Sequence, residues 1–316
     1  MQTVLYKKLA FILKYLALSY LLFIGYSCSN DEFQETSIDI TNIETVEIIE
    51  QEELEIIDYS FYVAGHTYGK PGVDNVGVHP PFKAKFDLLN SDENIAFGIF
   101  TGDIVWTSTE LNWDEIDADL ATLDKPVYFA AGNHDVANRE LFESRYGTTI
   151  FSFIHNSDLF IVLDPNLDGW NISGEQLNFL QSEIENKANQ VSNIIILTHQ
   201  LLWWTPSNIY SEVRPNSFAG RSDTVNFWTE IEPLFHSLEN NVVFIAGDVG
   251  AFPNGSEFMY DTYDNITLIA SGMGGEQRDN IVIADVYQSG AINYRLFALN
   301  GDDINALGDL EDYELP

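Results

Sequence analysis

Residues 127–135 read VYFAAGNHD, five apolar or aromatic residues running straight into Gly-Asn-His-Asp. A run of that length and make-up suits a β-strand, and the Gly-Asn pair closes it as a loop. The same layout recurs along the chain. YSFYVA (59–64) leads into GHTYG (65–69), AFGIFT (96–101) into TGDIV (101–105), NIIILT (193–198) into THQ (198–200), and VVFIAG (242–247) into AGDVG (246–250). DLFIVL (158–163) is a further strand-length run. Segments around 109–124, 138–146, 174–188 and 222–240 space Leu, Phe and Ile as amphipathic helices do. Three last runs, ITLIAS (266–271), IVIADV (281–286) and AINYRLF (291–297), follow one another with no helix between. Early βα alternation with a β-rich end predicts an α/β (α+β) protein of stacked sheets with helices outside.

Polar residues able to do chemistry gather where these strands end, which is where α/β sheets place their ligand sites. The five loops present His66, Asp103, Asn133 with His134 and Asp135, His199, and Asp248. Any one of them could merely cap a turn. Together they offer imidazole and oxygen donors converging from several strands, the make-up of a site for a transition metal.

In this order and spacing the chain resembles the calcineurin-like metallophosphoesterases. The resemblance rests on GNHD at 132–135, on Gly102-Asp103, and on His199 at the end of an apolar strand. It implies a four-layer αββα sandwich, two mixed β-sheets stacked and flanked by helices, over residues 58–300. That family builds a two-metal centre from Asp-x-His, Gly-Asp, Gly-Asn-His-Asp/Glu, a lone His and Gly-His-x-His. Carried over, Asp103 bridges the metals, Asn133 and His199 hold the second one, and His134 protonates the leaving oxygen, with Asp135 orienting its ring.

Two motifs depart from that pattern. Ala64-Gly65-His66 lacks the first aspartate, and Gly247-Asp248-Val249-Gly250 lacks both histidines. The first metal position keeps His66 and a share of Asp103. The second keeps Asp103, Asn133 and His199, with Asp248 replacing an imidazole, a mostly oxygen set that favours Mn²⁺, Mg²⁺ or Fe²⁺ over Zn²⁺. One or two ions are compatible with these donors, and Asp74 and His79 are nearby substitutes for the missing ligands. The expected activity is hydrolysis of a phosphate mono- or diester. The alternative is a protein that has lost catalysis and binds a glycan or phosphorylated ligand through the same cleft.

The N-terminus speaks to location. Residues 1–27 hold Lys7, Lys8 and Lys14, no acidic residue, and an apolar run ending in small residues before Cys28, the chain's single cysteine. That is the layout of a secretory signal, and it resembles a bacterial lipoprotein signal in which Cys28 is lipidated; a single transmembrane anchor is the competing reading. Residues 28–57 carry ten acidic residues and no basic one, the composition of an unpacked tether. The expected place is the cell envelope, anchored by lipid to the outer membrane and exposed at the surface. Residues 301–316, with six carboxylates, read as a solvated acidic tail.

Composition bounds the rest. The 316 residues are 45% hydrophobic and 13% aromatic, which excludes a disordered chain, and 14 basic against 49 acidic residues give a formal charge of −35. So acidic a surface repels phosphate backbones, so no nucleic-acid partner is expected. DPNLDGWNISGE (164–175) fits a calcium loop with Asp164, Asn166, Asp168 and Glu175 as side-chain ligands; alternatively Glu175 simply opens the next helix. Trp203, Trp204 and Trp106 are candidates for a wall that stacks on a sugar or nucleobase.

Overall fold

The computed structural model describes residues 55–314 apart from 74, 75 and 276. The lipoprotein signal with Cys28, the tether up to residue 54, and Asp74 therefore lie outside the described residues. No helix among those described is long and apolar enough to cross a membrane.

Two sheets form the centre. The first places β1 (Ile57–Ala64) parallel to β2 (Ile95–Thr101), and β2 parallel to β3 (Val127–Ala130). On the other side of β1 lie β10 (Asn280–Tyr287) and β11 (Ile292–Ala298), both antiparallel to their neighbours, in the order β11-β10-β1-β2-β3. The second sheet runs β4-β5-β6-β7-β9-β8. Its inner strands β5 (Asp158–Val162), β6 (Asn193–Thr198), β7 (Asn241–Ala246) and β9 (Ile266–Ser271) are parallel. Antiparallel β4 (Phe151–His155) and β8 (Phe258–Tyr263) close its edges.

Side-chain alternation explains the layering. In β1, Phe61 and Val63 face the space between the sheets, meeting Phe160, Val162, Ile195 and Leu197 of the other sheet. Tyr62 and Ala64 face outward, onto Phe82, Phe86, Leu89, Trp113 and Ile116. Those come from α1 (Pro80–Lys83), α2 (Phe86–Ser91) and α3 (Glu110–Leu120), joined by Phe142 of α4 (Arg139–Tyr146). The second sheet turns Ile194 and Ile196 outward onto Leu180 and Ile184 of α5 (Gly174–Lys187). Strands buried on both faces must be apolar throughout, which is why β6 reads NIIILT. The result is helices, sheet, sheet, helices: the four-layer sandwich expected.

Two expectations fail. Residues 222–240 form no α-helix; a π turn at Phe227–Ile231 passes into a 3₁₀ turn at Glu232–Leu234. Pro233 has no N–H to give to an α-helical ladder, so the Phe and Ile periodicity is spent on two short turns. The acidic end is not a free tail either. Leu310 is fully buried among residues of both sheets, Tyr313 sets its ring edge-on to Phe258 at 4.0 Å, and Asp309 and Glu314 bridge to Arg295 and Tyr260.

Candidate metal centre

Parallel strands end on the same side, so the tips of β1, β2 and β3 in one sheet meet those of β6 and β7 in the other. His66 lies two residues beyond β1, Asp103 two beyond β2, Asn133 three beyond β3, His199 directly after β6 and Asp248 two beyond β7. The site forms on the seam between the sheets, and hydrogen bonds stitch the seam. His199 Nδ1 donates across it to the Thr101 carbonyl at 2.8 Å, and within the second sheet the N–H groups of Gly247 and Asp248 both donate to the His199 carbonyl at 2.9 Å.

Two residues in the centre take a backbone conformation that L-residues rarely adopt, His66 with φ 56° and Asp103 with φ 52°. Such positions cost roughly 1–3 kcal/mol each and persist where surrounding structure enforces them. Gly102 shows that enforcement: its φ is +84°, and a Cβ there would lie 2.5 Å from His199 Nδ1. The glycine of the Gly-Asp pair is therefore required by the histidine of a different sheet.

Asp103, His199 and Asp248 gather donor atoms within 4.8 Å of one another, and no other such group of His, Cys, Asp or Glu occurs among the described residues. His199 Nε2 lies 3.3 Å from Asp103 Oδ1 and 3.7 Å from Asp248 Oδ1. All three side chains are buried, and His199 Nε2 and both carboxylate oxygens of Asp248 have no hydrogen-bond partner. A buried carboxylate with neither oxygen satisfied costs several kcal/mol unless a cation stands beside it. The donor set fits a divalent ion.

Titration behaviour agrees. Burial alone would depress the His199 imidazole, but Asp103 and Asp248 outweigh it and raise its pKa to about 10. Burial pushes the Asp248 carboxyl well above the usual range despite the His199 charge. Burial also pushes Asp103 up, yet His199, followed by His66, drags it below the ordinary carboxylate range. Without metal, a proton on His199 supplies the positive charge that the two carboxylates demand.

All three histidines of the site are oriented alike. A carbonyl can only accept, so the nitrogen facing it carries the proton. Nδ1–H of His66 faces Met273 O at 3.0 Å, that of His134 faces Trp106 O at 2.7 Å, and that of His199 faces Thr101 O, so in each the nitrogen not held by a carbonyl is Nε2. Burial lowers the His66 pKa to about 4, so it is neutral, and its Nε2 lies 3.9 Å from Asp103 Oδ2.

Asp135 departs from its expected part. Its Oδ1 accepts from the N–H groups of Ile104 and Val105 at 2.8 and 3.1 Å, and Oδ2 from Gly132 N–H at 2.8 Å. It staples the Gly-Asp loop to the GNHD loop, and the Trp106 carbonyl, not Asp135, orients His134. Burial, and after it the charge of Asp103, pushes the Asp135 carboxyl up to about 7 against these donors. Asn133 is half-buried on the same loop, one residue before His134, whose N–H donates to Asp103 Oδ1 at 3.1 Å.

Several other expected ligands are engaged elsewhere. His79 Nε2 pairs with Asp279 at 3.0 Å, a buried contact that ties its loop to the start of β10. The 164–175 loop does not assemble as a calcium site. Asp164 pairs with Arg139 at 2.7 Å and accepts from Asn166, Asn166 also donates to Ala131 O, Asp168 accepts from Ser173, and Glu175 is exposed in the first turn of α5. With Pro165 after Asp164, the run is a capped 3₁₀ turn. Trp203 is wholly buried in the core, and Trp204 lies against Phe218 at 4.6 Å with Arg221 over its ring at 5.2 Å. Trp106 alone of the three is exposed. The orienting carbonyls of Thr101, Trp106 and Met273 escaped sequence reading because every residue has a carbonyl. Tyr68, its ring 4.1 Å from that of His66, stood in GHTYG but carried no metal-ligand signal.

Residues 66–226, just over half the chain, match the profile of the calcineurin-like phosphoesterase family. The chain belongs to that family and is by membership a metallophosphoesterase, a hydrolase of phosphoester bonds that works with divalent metal. Solved structures share its fold. A dimetal phosphatase from Danio rerio superposes with a TM-score of 0.53 at 13% identity, over 78% of this chain and 98% of that one. A purple acid phosphatase from yellow lupin seeds gives 0.54 at 13% identity, over 78% of this chain and 52% of that one. No curated protein sequence matches the chain.

Proposed function

We propose that this chain is a phosphate-ester hydrolase of the bacterial cell envelope working with one divalent ion, held by Asp103, Asn133, His199 and Asp248. The observation that carries this is the unpartnered, buried Asp248 carboxylate beside the unpartnered Nε2 of His199. An ion there would polarise a phosphoryl oxygen and acidify a water. Oxygen donors outnumber nitrogen, so Mn²⁺, Mg²⁺ or Fe²⁺ suits the set better than Zn²⁺.

The other side of the centre supports a single ion. Gly250, in the place of the family's final histidine, has φ +83°, and a Cβ there would sit 2.5 Å from the Gly272 carbonyl carbon. Ala64, in the place of the first aspartate, packs among the apolar residues beneath the helices. His66 remains on that side as a lone neutral imidazole.

His134 gives its proton to the leaving oxygen. Trp106 O fixes the tautomer, so Nε2 is the nitrogen that loads and releases the proton. Asp103 Oδ1 accepts the His134 N–H and so ties the acid to the carboxylate at the heart of the site. Purified protein, loaded with Mn²⁺, should hydrolyse generic phosphate mono- or diesters and stop when the metal is chelated. Inert protein that still binds phosphorylated ligands or glycans would put the binding reading in its place.

For location, the proposal is a lipid anchor on Cys28. Full-length protein should partition with membranes, and Cys28→Ala should release it or stall its processing. Unchanged mass and fractionation in that variant would rule the anchor out.

A further inference from the structure

The geometry points to Trp106 as the residue that selects the leaving group, favouring phosphate esters whose alcohol carries a flat aromatic ring, a nucleobase or an aryl group. This rests on the phosphoesterase reading above and deepens it.

Trp106 is the one exposed tryptophan among the described residues, 42% accessible, whereas Trp113, Trp170, Trp203 and Trp204 are buried and Trp228 half-buried. Its position relative to the acid is fixed from two directions. The N–H groups of Ile104 and Val105, just before it, are held by Asp135, and its own carbonyl takes the Nδ1–H of His134. The indole is held as well: its centroid lies 5.1 Å from the His134 ring and 5.3 Å from that of Tyr68, which meets it at 74°. Tyr68 is itself buried against His66. A large apolar ring is thus kept rigid and wet, in contact with the side chain that protonates the leaving oxygen. The leaving group must pass beside it, and a surface already ordered loses little freedom when a second ring stacks on it.

The surroundings favour an aromatic ring over a sugar. A sugar stacked on indole needs hydrogen-bond partners around the rim. Here the neighbours of the indole are two more rings, those of Tyr68 and His134. A base or aryl ring stacks through its π-face and gains from the indole itself.

The test compares adenosine 5′-monophosphate with ribose 5-phosphate, which release the same 5′-oxygen and differ in the base. With Mn²⁺-loaded wild-type protein, kcat/KM should favour the nucleotide by about tenfold or more, carried mainly by KM, as expected of one stacked base. Trp106→Ala should erase that preference and Trp106→Phe should keep most of it, whereas a preference surviving in Trp106→Ala overturns the assignment. If neither ester turns over, the hydrolase reading fails separately, and equilibrium binding of the same two compounds decides the subsite. A nucleotide preference lost in Trp106→Ala supports it, and no preference in wild type overturns it.

Discussion

The two halves of the centre sit a few ångströms apart on the same seam, yet they solve opposite problems. On the Asp248 side, three ionisable groups are buried with atoms that make no hydrogen bond, and a metal ion there would take the place of the proton on His199. On the His66 side, the donors are gone. Gly250 lies against the Gly272–Met273 backbone, Ala64 fills apolar space, and His66 is a neutral ring hydrogen-bonded to Met273. On the proposed reading, a fold can keep one metal position while closing the other, because the ligands of each come from different strand tips and only Asp103 is shared.

That contrast breaks most sharply at the shared residue. Asp103→Ala should remove metal binding and reduce turnover by about 10³ or more, since an ion's charge stabilisation is worth several kcal/mol. Metal content read beside far-UV circular dichroism separates lost binding from lost fold. Next in size, His134→Ala should cut turnover by about 10²–10⁴ on esters with poor leaving groups and less on good ones. Equal losses on both would remove it as the acid.

A stability effect comes third. Gly250→Ala should destabilise by about 2 kcal/mol or more, because a left-handed backbone and a backbone neighbour both oppose a Cβ. Urea unfolding measures it, and a neutral result would mean that the closed side has room for a ligand after all. A linkage effect of similar size discriminates best. Saturating Mn²⁺ at 100 times its Kd should stabilise wild-type protein by about 2.7 kcal/mol. His199→Ala should abolish that increment and His66→Ala should leave most of it. Each variant is compared with its own metal-free form, so cavity costs cancel.

How much of this was legible in the sequence follows from what each feature needs. The inner strands and their polar exits could be read because apolar runs such as NIIILT and VVFIA are pure local pattern. β4 and β8 were missed: FSFIH and FMYDTY are edge strands whose mixed polarity gives no continuous run. The span 222–240 has helical spacing of its apolar residues, but Pro233 breaks the ladder that spacing implies. Leu310 and Tyr313 read as solvated amid carboxylates, yet Leu310 joins the core between the sheets and Tyr313 packs on Phe258. In the centre, donor types were legible and commitments were not. Asp135, His79 and Asp164 are all plausible ligands by type, and each is taken by backbone N–H groups, a carboxylate or an arginine brought from far along the chain.

The central claim is that one half of the centre binds metal and the other does not. Protein stripped of metal, re-equilibrated with excess Mn²⁺, desalted and analysed for metal per chain tests it most directly. One ion per chain, lost in Asp248→Asn and retained in His66→Ala, is the expected result. Two ions per chain in the wild type would contradict it.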